Sequence, residues 1–185
     1  IAGYPVNVTV AADDTTAILQ DALIEAINAE GMLPVTAAKA AEEESTGKIT
    51  LTAKHKGEAG NNIDIQLNYY DGEKTAAGVT IEIAKGTEGS GNVSLLNVLA
   101  ALGDEYATDI TTPYVDSANL RQLRDVLTER FGAMSCNEST LYISTNGSYS
   151  ELTTLSNSLN SEHIVLVENY KAPQMPEVRA AAVMA

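Results

Sequence analysis

A chain of 185 residues with 44% apolar side chains can bury the core of one ordinary domain or of two small ones. Its 25 Asp and Glu against 11 Lys and Arg leave a formal net charge of −14, which repels phosphate backbones and argues against nucleic-acid binding through a basic face. The single cysteine, Cys136, excludes an internal disulfide or a multi-cysteine metal site, and no apolar run approaches the ~18 residues of a bilayer span.

Ile1-Ala2-Gly3-Tyr4-Pro5 has neither a basic stretch nor an apolar leader nor an initiator Met, and reads as the start of an excised piece rather than a signal peptide. Val6 to Val10 alternates apolar and polar residues and is expected to be a strand. Asp13-Asp14-Thr15-Thr16 supplies capping side chains and negative charge at a helix start. Ile18, Leu19, Ala22, Leu23, Ala26 and Ile27 then follow at helical spacing up to Gly31. A strand begins at Pro34-Val35, and Glu42-Glu43-Glu44 reads as a solvated turn, since calcium loops space their carboxylates at alternate positions. Residues 48–55 alternate, as do Ile63, Ile65, Leu67 and Tyr69. The Gly- and Asn-punctuated stretch between them suits a sharp reversal. Asp71-Gly72 predicts a turn, and Val79 to Ile83 a further strand. This half is therefore an α+β module of one helix and about five strands.

Lys85-Gly86-Thr87-Glu88-Gly89-Ser90-Gly91-Asn92 is the linker candidate; it lacks the Gly-Lys-Ser/Thr of a phosphate loop. Beyond it the rhythm changes to alternating helix and strand. A short helix runs from Leu95 to Leu102, and a strand from Ala107 is stopped by Pro113. Asp116-Ser117 caps a helix with Leu120, Leu123, Val126, Leu127 and Phe131 on one face. Leu141 to Ser144 is a strand, followed by an Asn146-Gly147 turn. Ser148 and Glu151 form a capping box, with Leu152, Leu155 and Leu159 turned inward. Ile164 to Val167 reads as a strand covered on both faces. After Pro173 and Pro176 comes an Ala-rich helix from Glu177 to Ala185. These boundaries divide the chain into a β-rich α+β module (1–86), a Gly-rich linker (87–92) and an α/β layer with a parallel sheet (93–185).

The wording of Leu51-Thr52-Ala53-Lys54-His55-Lys56-Gly57-Glu58-Ala59-Gly60-Asn61-Asn62-Ile63-Asp64-Ile65-Gln66-Leu67 resembles the signature segment of contractile-tail sheath proteins of the Mu-like phage and prophage type. The likeness continues at Leu99 to Glu105, Thr112 to Leu120, Glu129 to Met134 and Leu155 to His163. It implies an α/β core of the subtilisin-like kind joined to a β-rich module. It also implies a structural subunit that stacks as rings around a tail tube, contacts the baseplate, and contracts to drive the tube through the host envelope. The place implied is the virion tail, after assembly in the host cytoplasm. The extended arms by which such subunits join are absent, so this stretch alone is expected to be a monomer.

No cofactor, metal or membrane insertion is expected, and no catalysis. Subtilases carry Gly-Thr-Ser and His-Gly motifs, and neither is present here. Two rival readings are a non-catalytic small-ligand-binding α/β domain, using the crevice at the carboxyl ends of parallel strands, and a hydrolase built from Ser144 or Ser148 with His163. Asp104, Glu105, Arg121, Arg124, Asp125, Glu129 and Arg130 are the candidate subunit-interface residues, although pairing along one helix surface explains them about as well.

Overall fold

The computed structural model describes residues 1–41 and 46–185; the Glu42-Glu43-Glu44 turn lies outside them. Helix α1 (Thr16–Ala29) starts where the Thr15 hydroxyl accepts the amide of Ile18, at 3.4 Å. It buries Ile27, with Leu23 and Ile24 alongside, against Leu33, Val35 and Ala37. Strands β1 (Val35–Lys39) and β2 (Ile49–Ala53) pair antiparallel, Val35 opposite Ala53 and Lys39 opposite Ile49. The Asn28 side chain on α1 donates to the Ala37 carbonyl and accepts the Ala37 amide, both at 2.9 Å. That occupies the Ala37 backbone groups, in the middle of the free edge of β1, where a third strand would add.

The expected strands at Val6–Val10, Ile63–Tyr69 and Val79–Ile83 join no sheet, so the described residues of this half hold two strands rather than five. Alternation marks a segment that can lie half-buried, but a strand also needs a partner backbone. Ile63 and Val6 add to the small core, whereas Leu67, Tyr69, Ile81 and Ile83 remain exposed. The Asp71-Gly72 turn does form, closed by the Glu73 amide on the Tyr70 carbonyl at 3.1 Å.

In the second half, β3 (Asp109–Thr111), β4 (Thr140–Thr145) and β5 (Ile164–Glu168) form a parallel sheet in that order, as the helix–strand alternation predicts. Helix α2 (Leu96–Leu102) precedes it; α3 (Ser117–Phe131) and α4 (Tyr149–Leu159) make the crossovers. Asp116 caps α3 by accepting the Asn119 amide at 3.0 Å. Glu151 closes the α4 capping box on the Ser148 amide at 2.7 Å and its hydroxyl at 2.8 Å. Leu95, Leu120, Leu123, Leu127, Leu159, Leu141 and Ile143 close a core between these helices and one face of the sheet. Helix α5 (Pro176–Met184) begins on Pro176, whose missing N–H costs nothing there. It lies against β4, β3 and β5. Its Ala180 is fully buried, the small side chain a close helix–sheet approach needs. Val165 on β5 stays 38% exposed. That strand is the sheet edge, and not the doubly covered strand its β-branched run suggests.

Candidate functional site

The segment leaving β2 joins the two halves. Gly57 turns the chain at φ +99°, a conformation other residues adopt only with strain, into a short 3-10 helix over Glu58–Asn62. This helix reaches the carboxyl end of the parallel sheet. There the Asn62 side-chain oxygen Oδ1 accepts from Asn146 at 3.3 Å, and Asn146 accepts from the buried Asn169 at 2.7 Å. Residues 85–92 are fastened to the same helix. Asn61 donates to the Gly89 carbonyl at 2.9 Å and accepts the Gly89 amide at 2.8 Å. Asn92 accepts the Glu58 amide at 3.1 Å and donates to the carboxylates of Glu58 and Asp116, each at 3.0 Å. Asn119 completes the lattice, accepting the Leu95 amide at 3.0 Å and donating to the Val93 carbonyl at 2.9 Å. The chain pattern marks the loop through Gly57 and Gly60, but it does not reveal that asparagine side chains, Asn61, Asn62 and Asn92 foremost, would stitch it down.

Two depressions flank this helix. One of about 320 Å³ lies among Pro34, His55, Lys56, Tyr114, Met175 and Glu177. Burial pushes the Glu177 carboxyl above its ordinary range, against the opposing pull of its own backbone amide and of His55. The other, about 460 Å³, is lined by amide side chains, including Asn61, Asn62, Gln66 and Asn146, with Tyr170 and Lys171. The crevice where open α/β sheets take ligands is therefore partly filled by the chain's own loop. Asp116 sits beside it. Burial raises its carboxyl, but hydrogen bonds from Asn119 and Asn92 outweigh that and hold it below the ordinary aspartate range.

The residues of the hydrolase reading are not brought together. Ser144 is buried, its hydroxyl without a protein partner. His163 stacks on Phe131 at 5.0 Å at the other end of the sheet. The register pairs Leu141 with Ile164, so His163 stands beside Thr140, roughly 13 Å along the strand from Ser144. The Ser148 hydroxyl is engaged by Glu151, and the Cys136 thiol points to the Ala133 carbonyl at 3.2 Å. Among the described residues no group of three or more His, Cys, Asp or Glu is placed to hold a metal.

Of the seven charged residues singled out by sequence, Asp104, Glu105, Arg121, Asp125 and Glu129 are exposed. Arg124 folds back on its neighbour Asp125 at 2.7 Å. Arg130 turns inward, 7% exposed, and its guanidinium donates to the carbonyls of Gly103 and Glu105. It closes the end of α2, where carbonyls would otherwise be left without donors.

No family model matches the sequence. The chain is, however, 31% identical over 182 residues to the Mu-like prophage FluMu tail sheath protein of Haemophilus influenzae (strain ATCC 51907 / DSM 11121 / KW20 / Rd). The chain is a relative of the Mu-like tail sheath proteins. The match takes in 98% of this chain and 36% of the Haemophilus protein, so the chain spans about a third of that sheath protein's length. It therefore runs through both halves and through the asparagine-stitched junction between them, within a single stretch of the sheath sequence.

Proposed function

We propose that this chain is part of a structural subunit of a contractile phage or prophage tail sheath. The subunits stack as rings around the tail tube, seated on the baseplate, and shorten to drive the tube through the host envelope. The observation that carries this reading is the match of 98% of this chain to part of a tail sheath protein. The fold is compatible with it. Two small cores fastened by side-chain amides make a block that can change neighbours without changing shape, which is what switching between discrete interface arrangements requires. Contacts between unlike faces generate rings and helical stacks. The α/β half is then the sheath's subtilisin-like core, without catalytic work, and the subunit assembles in the host cytoplasm before joining the virion tail. Asp104, Glu105, Arg121, Arg124, Asp125 and Glu129 are its candidate contact charges, with Arg130 shaping the loop that carries the first two.

The test is electron microscopy of the full-length protein that contains this stretch. Tubes or ring stacks of regular pitch are expected. Dispersed particles under assembly conditions would sink the reading and bring forward a ligand role for the two junction depressions, detectable as thermal stabilisation by nucleotides or metals.

A further inference from the structure

The two ends of the parallel sheet differ. The carboxyl end is covered by the 3-10 helix and its asparagines, whereas at the amino end the loops after α2, α3 and α4 meet and, among the described residues, stay largely exposed. Their meeting is fixed by hydrogen bonds. Arg130 holds the carbonyls of Gly103 and Glu105, Asn137 donates to the Glu105 carbonyl at 3.2 Å, and Ser139 donates to the Ala107 carbonyl. The Leu141 amide donates to the His163 carbonyl at 2.8 Å, which brings in the loop before β5. These loops raise apolar side chains into solvent: Met134 is 99% exposed, Tyr106 70% and Phe131 45%. Around them stand the exposed carboxylates of Asp104, Glu105, Asp109, Glu129, Glu138 and Glu162.

No exposed lysine or arginine lies in residues 102–109, 128–140 or 160–164, and the one histidine, His163, faces Glu162 at 3.8 Å. Helices α2, α3 and α4 all end here, adding the partial negative charge of their last carbonyls. The only basic side chain in their last turns is the inward-facing Arg130. An apolar knob, pre-positioned by hydrogen bonds and set among carboxylates whose own loops carry no exposed lysine or arginine, suits one kind of surface. We propose that the amino end of the sheet docks on another protein subunit that presents lysine or arginine side chains around an apolar pocket. Burial of Met134 and Tyr106 supplies the anchor, and the carboxylates supply orientation and encounter rate.

The probe is a synthetic peptide with arginines flanking a central leucine cluster, together with its glutamate-for-arginine counterpart. Each is titrated into the isotopically labelled chain and followed by amide chemical shifts. The arginine peptide is expected to move amides in residues 103–109, 131–139 and 160–163, and the glutamate peptide none. The triple variant E105Q/E138Q/E162Q is expected to bind about tenfold more weakly, as three exposed charge pairs lost together imply. Met134→Ser should weaken binding as well. The triple variant E73Q/E82Q/D71N, which lowers net charge equally but elsewhere, should not. Shifts scattered over the whole acidic surface, or equal weakening by both triple variants, would overturn the proposal in favour of unspecific charge attraction. Self-association of the chain through these same loops without peptide would overturn it in favour of a second copy. Each of these failures leaves the sheath reading standing, because that reading is judged by tube formation.

Discussion

Arg130 shows how much a single side chain decides. Its charge and helical position are those of a surface residue, yet its guanidinium spends its donors on two carbonyls of another loop. Removing it leaves the Gly103 carbonyl without that donor and the Glu105 carbonyl with Asn137 alone, and opens a hole at the end of α3. Arg130→Ala should therefore cost about 2–3 kcal/mol in urea unfolding, and Arg130→Lys should recover only part of this, because a point charge cannot reach both oxygens. Two carboxylates predict opposite pH behaviour. Glu177 has a folded pKa raised above its unfolded value, so its share of stability is full at low pH and is lost as pH rises through the folded pKa. Glu177→Gln should remove that loss and make the protein relatively more stable at neutral pH. Asp116 is depressed, so its share is present above its unfolded pKa and disappears as acid titrates it through the lower folded value. Asp116→Asn should flatten the acid limb of a stability–pH curve; an unchanged limb would show that the Asn119 and Asn92 bonds do not favour the charged form.

At the scale of elements, the second half was legible because its signals are local. The caps at Asp116 and Ser148, the leucine faces of α3 and α4, and the β-branched run at Ile164 each specify their element without help from distant residues. The unpaired segments around Val8, Leu67 and Ile81 were not legible. Strand pairing is a non-local property, and alternation gives no information about whether an edge is free. Here Asn28 occupies the edge of β1, and nothing near Asn28 in the sequence announces it. The junction was half legible, its glycines visible and its asparagine contacts not. Gly89 is where the two meet, since a Cβ there would collide with the Gly57 carbonyl oxygen. Gly89→Ala must push the 85–92 segment off the 3-10 helix and break the Asn61 pair. It should destabilise by about 1–3 kcal/mol and raise amide exchange at residues 57–62 and 87–92 ahead of the rest. Gly86→Ala, in open space a few residues away, should change little.

For the whole molecule, the decisive question is whether the halves behave as one body. Each core is small, one gathered around Leu33 and Val35, the other around Leu141 and Ile143. What joins them at the carboxyl end of the sheet is mainly amide and carboxylate hydrogen bonding at Asn61, Asn62 and Asn92. Each such bond contributes only about 0.5–1.5 kcal/mol net, but together they are comparable with the stability of a small domain. The intact chain should therefore unfold in one transition, with tyrosine fluorescence and far-UV circular dichroism coincident. In the variant N61A/N92A the coupling falls below what holds the weaker half. Two transitions should appear, the first melting α1 with the β1–β2 pair and the second the parallel sheet, because the latter buries the larger core. Hydrogen exchange assigns each transition to its residues. Two transitions already present in the unmodified chain would mean that the asparagines decorate the junction without coupling it, and a sheath subunit built on this chain would flex at the junction instead of moving as a block.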